Sequence, residues 1–262
     1  MDPILEAKHL SMNFGGLKAL DRVDLAVLPG EITALIGPNG AGKTTFFNCI
    51  TGIYAPTEGD IFITPPGDVR KRITGLTIHK VTECGIARTF QNIRLFPDMT
   101  VLENVMIGRH CRTQAGILGA ILRDNATNNE ERAIVTRSYE FIEKIGLSEH
   151  VNLLARNLPY GAQRRLEIAR AIATDPFLLL LDEPAAGMNP QETRELEALI
   201  FSIRDEGRIS TLLIEHDMRL VMSLSDRIHV MDYGEMIARG TPQEIRENPA
   251  VIKAYLGEDL DA

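Results

Sequence analysis

The octapeptide Gly37-Pro38-Asn39-Gly40-Ala41-Gly42-Lys43-Thr44 constrains this chain more than any other stretch. It has the form G-x-x-x-x-G-K-[ST] and sits between "EITALIG", an apolar strand-like run, and "FFNCITG", whose spacing is helical. A strand that turns through glycines into a helix wraps phosphate oxygens with backbone N–H groups. The helix N-terminus adds positive potential there. In such a cradle the Lys43 ammonium reaches the β- and γ-phosphates, and the Thr44 hydroxyl is offered to Mg2+. A nucleotide-binding strand–loop–helix unit is expected.

The second constraint is "LLLLDEP", Leu178 to Pro184. Four consecutive leucines suit a buried strand, but adjacent carboxylates at its end need partners, because unpaired buried carboxylates are costly. A loop holding a Mg-nucleotide needs a carboxylate at the end of a buried strand in the same sheet. Asp182 suits that role, directly or through water, and leaves Glu183 to polarise the attacking water.

The rest of the chain organises around these two stretches. "ILEAKHLSMNF" and "LKALDRVDLAV" alternate apolar and polar residues across a Gly15-Gly16 turn, and "TEGDIFIT" is a further strand. A loop is expected at Pro65-Pro66-Gly67, followed by a solvated run, "DVRKR". Helical periodicity dominates about residues 88–160, in "TVLENVMIGRH" and "ERAIVTRSYEFIEKIGL". Between them, "AGILGAIL" is expected as a packed helix and "RDNATNNEE" as a polar turn. Beyond residue 161 come a helix in "RRLEIARAIATD", a strand in "FLLLLD" and a helix in "QETRELEALIFSIRDEG". "STLLIEHD" and "RIHVMDYGEMIARG" supply strands, and "TPQEIRE" and "PAVIKAYL" helices. Apolar strands separated by helices imply a parallel sheet covered on both faces.

With 28 Lys+Arg against 36 Asp+Glu, the net charge of −8 argues against a dedicated nucleic-acid binder. Cys49, Cys84 and Cys111 lack metal-ligand spacing and are expected as small hydrophobes in a reducing compartment. No stretch reaches the roughly 18 apolar residues of a membrane span. No apolar run of signal-peptide length follows the N-terminus, so a cytoplasmic protein is expected.

In the order of its motifs the chain resembles the ATP-binding subunits of ABC transporters along nearly its whole length. Phe14 stands where that family places an aromatic that stacks on adenine. Gly37, Pro38, Asn39, Gly40, Ala41, Gly42, Lys43, Thr44 and Thr45 form the phosphate loop and helix start. Gln91 in "RTFQN" matches the glutamine loop, and "LPYGAQRR" the signature usually read Leu-Ser-Gly-Gly-Gln. "AAGMNP" stands at the dimer loop and His216 at the switch histidine. Each has an ordinary explanation taken singly, but their joint order does not.

The resemblance implies a single α/β domain over residues 1–262: a P-loop NTPase core with an N-terminal antiparallel β subdomain and an inserted helical subdomain at about 88–160. It assigns catalysis to Glu183, His216 and Gln91, and Mg2+ to Thr44, Gln91 and Asp182. ATP contacts fall to Phe14, the phosphate loop and, from a second subunit, Tyr160, Gly161, Ala162 and Gln163. Tyr160 stands for the signature serine, Ala162 for its second glycine and Asn189 for the dimer-loop aspartate. "RTFQNIRLFPDMTVLENVMIGRH", "YGAQRRLEIARAIATDP" and "EPAAGMNPQET" look like the branched-chain amino acid uptake branch, and "CRTQAGILGAILRDN" fits the longer of its two ATPase subunits. Urea or amide importers and lipid exporters are the alternatives. The implied partners are a second ATPase subunit (itself or a paralogue), two membrane permease subunits and, indirectly, a substrate-binding protein. The implied location is the cytoplasmic face of the cell membrane.

Overall fold

The computed structural model describes residues 2–109 and 125–256. Its strands are β1 Leu5–Phe14, β2 Leu17–Val27, β3 Ile32–Ile36, β4 Glu58–Ile63, β5 Lys71–Arg72, β6 Ile86–Arg88, β7 Leu178–Asp182, β8 Ser210–Ile214, β9 Arg227–Asp232 and β10 Glu235–Gly240. Its helices are α1 Lys43–Ile50, α2 Ile78–Glu83, α3 Val101–Arg109, α4 Asn125–Lys144, α5 Tyr160–Ile172, α6 Pro190–Gly207, α7 Met218–Leu224, α8 Pro242–Arg246 and α9 Pro249–Leu256.

Two sheets form. The N-terminal one runs β2-β1-β4-β5 and is antiparallel; the other runs β10-β9-β3-β8-β7-β6. From β9 to β6 the second sheet is parallel, as the apolar strands predict. Side-chain alternation explains the four leucines of β7. Leu179 and Leu181 face a core built with Val105, Leu166 and Leu196 from the helices. Leu178 and Leu180 face a second core, with Phe46 and Phe47 of α1 and Leu5, Leu10 and Ile61 of the antiparallel sheet. On the first face, α3 packs against both α4 and α5.

The fold departs from the sequence expectations in four places. β10 is an antiparallel edge on the otherwise parallel sheet, joined to β9 by a two-residue turn with Tyr233 at φ 41° and Gly234 at φ 80°. Lys71–Arg72, expected as part of a solvated run, pairs with β4 as a short edge, though both residues stay exposed. α4 begins at Asn125, inside the stretch expected as a polar turn. α2 and β6 were not read from the sequence, being too short to carry a period. Cys111 and "AGILGAIL" lie outside the described residues. Cys49 is buried and Cys84 partly so, and burial pushes the Cys49 thiol up to about 11.

His229 on β9 is 3% exposed, and neither ring nitrogen has a hydrogen-bond partner. Burial, reinforced by Arg227 and Arg239, lowers its imidazole to about 4. The folded protein refuses a proton that the unfolded chain accepts below about pH 6.5. His229 therefore removes stability as pH falls from about 6.5 to 4, by up to about 3 kcal/mol. Urea unfolding at pH 7 and pH 4.5 should give a smaller acid loss for His229→Leu than for the unmodified chain. Equal losses would place the acid sensitivity elsewhere.

Candidate nucleotide site

The phosphate loop leaves β3 at Gly37 and enters α1 at Lys43. Two glycines are dictated by backbone geometry. At Gly37 (φ 149°) a Cβ would lie 2.0 Å from the Met231 carbonyl oxygen, and at Gly42 (φ 101°) 2.6 Å from that of Ala19. No side chain caps α1, so its first-turn N–H groups point out of the loop uncapped. Lys43 is buried, and its Nζ donates to the carbonyls of Gly37 (2.6 Å) and Pro38 (2.8 Å). Thr44 is exposed and Thr45 half-buried.

A cavity of about 370 Å3 opens over this loop. Phe14, Asn39 to Thr45, Glu183, His216 and Tyr233 are among its lining residues. The Phe14 ring is 42% exposed and is braced edge-on by Tyr54, with centroids 5.2 Å apart. At the turn between β9 and β10, Tyr233 stands 88% exposed.

Glu183 follows the end of β7 with its backbone in the left-handed region (φ 48°), which is unfavourable for a residue with a Cβ. The neighbouring strand holds it there: Glu183 N donates to the Ile214 carbonyl at 2.9 Å. Its carboxylate lies between two groups. Gln91 Nε2 donates to one oxygen at 2.6 Å, and His216 Nε2 meets the other at 2.7 Å. His216 is carried by the end of β8, and Asp217 after it caps α7 by accepting from Arg219 N and Leu220 N.

Asp182 lies one layer deeper. Its carboxylate accepts from Arg88 Nη2 at 2.6 Å, and both side chains are 6% exposed. The same guanidinium donates to Asn48 of α1 and to Thr51, its C-cap, and lies over the rings of Phe47 and Phe90. The cation that the buried carboxylates call for is Arg88, three residues before Gln91, which sequence reasoning missed.

Sequence reasoning also missed Glu215, at the end of β8. It is 4% exposed and accepts from the N–H groups of Ala185 (2.8 Å) and His216 (3.1 Å), so it holds the two segments that carry Glu183 and His216. Burial, above all, raises its carboxyl pKa, and the charge of Glu183 adds to the rise. An acid beside a histidine at the end of an apolar run, "LLIEHD", is the same kind of signal as "LLLLDEP".

The signature residues do not line the cavity over the phosphate loop. Tyr160, Gly161, Ala162 and Gln163 form the first turn of α5, where Pro159 is the N-cap and supplies no hydroxyl. The Gln163 amide turns back to the Leu158 carbonyl (2.9 Å), and Tyr160 Oη donates to the Ala186 carbonyl (3.0 Å). Asn189 caps α6 in a capping box with Glu192. Among the described residues, no group of three or more His, Cys, Asp or Glu side chains is placed to hold a metal ion.

The family model for the ABC transporter matches residues 20–186, and that for the branched-chain amino acid ATP-binding cassette transporter matches residues 235–261. The chain is 48% identical to the high-affinity branched-chain amino acid transport ATP-binding protein LivG of Escherichia coli K12, with 98% of each chain covered. It is 49% identical to BraF, of the same description, from Pseudomonas aeruginosa, again over 98% of each. Among solved structures, an ATP-binding cassette of an ABC transporter in its ADP conformation superposes with a TM-score of 0.83 at 32% identity, covering 98% of this chain and 100% of that one.

Proposed function

Because the chain belongs to the ATP-binding subunits of ABC transporters, in the branched-chain amino acid branch, we propose that it binds and hydrolyses ATP to power uptake of branched-chain amino acids. The observation that carries the mechanism is the convergence of Lys43, Phe14, Glu183 and His216 on one cavity above an uncapped helix start. Phosphoryl transfer asks mainly for positioning and charge stabilisation, and these groups supply both.

In this reading the N–H groups from Gly40 to Thr45 bind the phosphates and Lys43 offsets the charge that develops on the γ-phosphoryl group. Glu183, held between Gln91 and His216, orients the attacking water and accepts its proton. His216 holds the γ-phosphate. Thr44, Gln91 and Asp182 fit Mg2+ as partners of a bound nucleotide, since the described residues form no cage of three or more His, Cys, Asp or Glu side chains. That fits an ion that prefers phosphate and water ligands. Thr44, Gln91 and Asp182 would hold it, Asp182 sharing its carboxylate with Arg88 or reaching through water. When bound, Mg2+ neutralises phosphate charge.

The position of Tyr160 to Gln163 outside the cavity supports a nucleotide contacted from two sides, with a second ATPase subunit presenting its α5 start. No described helix is long and apolar enough to cross a membrane, so in this reading permease subunits supply the span and dock near Gln91 on the cytoplasmic face. A substrate-binding protein delivers the cargo to them. Uptake of labelled leucine by cells with and without the chain tests the cargo. Unchanged uptake of leucine, isoleucine and valine on its loss would overturn it.

Phe14→Ala should raise the ATP KM by roughly five- to 150-fold, since stacking on one base is worth about 1–3 kcal/mol. Because stacking holds the base equally before and during hydrolysis, kcat should change little. Unchanged ATP affinity in the variant would reduce Phe14 to a packing partner of Tyr54.

A further inference from the structure

We propose that the Tyr160 hydroxyl is a positioning group for hydrolysis, closing a hydrogen-bonded circuit within one subunit that fixes Gln91 relative to Glu183. The inference rests on the roles given above to those two residues. Arg164, fully buried on α5, donates from Nη2 to the Gln91 carbonyl (2.6 Å) and to Tyr160 Oη (3.1 Å). From Nη1 it donates to the Phe90 carbonyl (2.6 Å) and to Glu167 (3.0 Å). A guanidinium is planar and its donors have fixed directions, so these acceptors are held in one geometry. Tyr160 Oη in turn donates to the Ala186 carbonyl at 3.0 Å. Ala186 is three residues beyond Glu183, and its N–H donates back to the Glu183 carbonyl at 3.2 Å.

The circuit closes through the Gln91 side chain, which donates to the Glu183 carboxylate at 2.6 Å. Its two arms start at Glu183. One runs through the Gln91 side chain and the other through Ala186 and Tyr160, and both end on Arg164. Removing the hydroxyl alone opens the second arm and leaves the tyrosine ring packed on Gly187. A Cβ on Gly187 would stand 3.2 Å from that ring. The donor–acceptor chain from guanidinium through hydroxyl to carbonyl is mutually polarised, which strengthens each bond.

Tyr160→Phe deletes the strut and leaves the ring on Gly187 and the other three bonds of Arg164. Small displacements of a catalytic group lower rates steeply, so we expect kcat to fall about tenfold. ATP Kd of the unpaired subunit, measured by titration, should stay within about twofold, since none of the circuit's bonds touches the phosphate loop and Tyr160 does not line its cavity. In a Gln91→Ala background, where the circuit is already open, adding Tyr160→Phe should lower kcat by less than about twofold. Wild-type kcat in Tyr160→Phe overturns the proposal. So does an undiminished tenfold loss in the Gln91→Ala background, or a loss that follows weakened ATP binding. The unmodified chain, assayed alongside, tests the parent reading separately: no phosphate release from it overturns hydrolysis and the strut together, while normal release with an unaffected Tyr160→Phe overturns the strut alone.

Discussion

Glu183→Gln binds ATP as tightly as the unmodified chain and releases phosphate at least about a hundredfold more slowly. The amide keeps the shape of the carboxylate, so Glu183 N still donates to Ile214 and the left-handed turn survives. What it loses is basicity and one of its two acceptor oxygens. Gln91 Nε2 and His216 Nε2 now meet a group that has only one oxygen between them. The water that Glu183 oriented loses its proton acceptor, and a positioned general base contributes about 10²- to 10⁴-fold. In the proposed arrangement, where a second subunit closes over the nucleotide, the variant should also elute as a dimer with Mg-ATP and as a monomer without it. Phosphate release at the wild-type rate would show that Glu183 is not the base. An inactive variant that binds ATP yet stays monomeric would point to a paralogue as the second subunit.

Lys43→Ala has the other large effect, and it falls on a different step. The ammonium is the cation of the phosphate loop, buried against the Gly37 and Pro38 carbonyls. Charge-assisted contacts to phosphate are among the stronger hydrogen bonds, and in the proposed mechanism Lys43 both holds the bound phosphates and offsets the further charge that develops on the γ-phosphoryl group in the transition state. ATP affinity should drop at least about tenfold and turnover should become undetectable. The loop carbonyls also lose their donor, so the thermal midpoint should fall, by an amount matching about 1–3 kcal/mol. A folded Lys43→Ala protein with full activity would remove the phosphate-loop assignment altogether.

These two residues were legible because their signals are local. The loop carries its glycines, lysine and threonine in eight consecutive positions, and β7 announces itself by an apolar run broken by acids. Arg88 was not legible because its partner Asp182 lies 94 positions away and nothing in "ARTFQ" marks a buried cation. Glu215 could have been found, since the reasoning applied to "LLLLDEP" extends to "LLIEHD". The family resemblance implies a contact from Tyr160 to the nucleotide of a second subunit, and nothing in the sequence shows that its hydroxyl bonds Ala186 and Arg164 of its own chain. Side-chain direction at a helix start is set by tertiary partners, which no periodicity encodes. The same holds for the antiparallel sense of β10, where alternation alone is blind to strand direction.

Arg88 has a mechanical consequence. It stands at the end of β6, a three-residue strand at the edge of the sheet, and it grips α1 through Asn48 and Thr51 while neutralising Asp182. The Gln91 loop leaves from the same edge. A pull on that loop is carried by two guanidiniums, Arg164 on the Phe90 and Gln91 carbonyls and Arg88 on Asp182, and a displacement that slackens the second leaves the Asp182 carboxylate without its counter-charge. In the proposed nucleotide site, movement of this edge would be read as a change of charge.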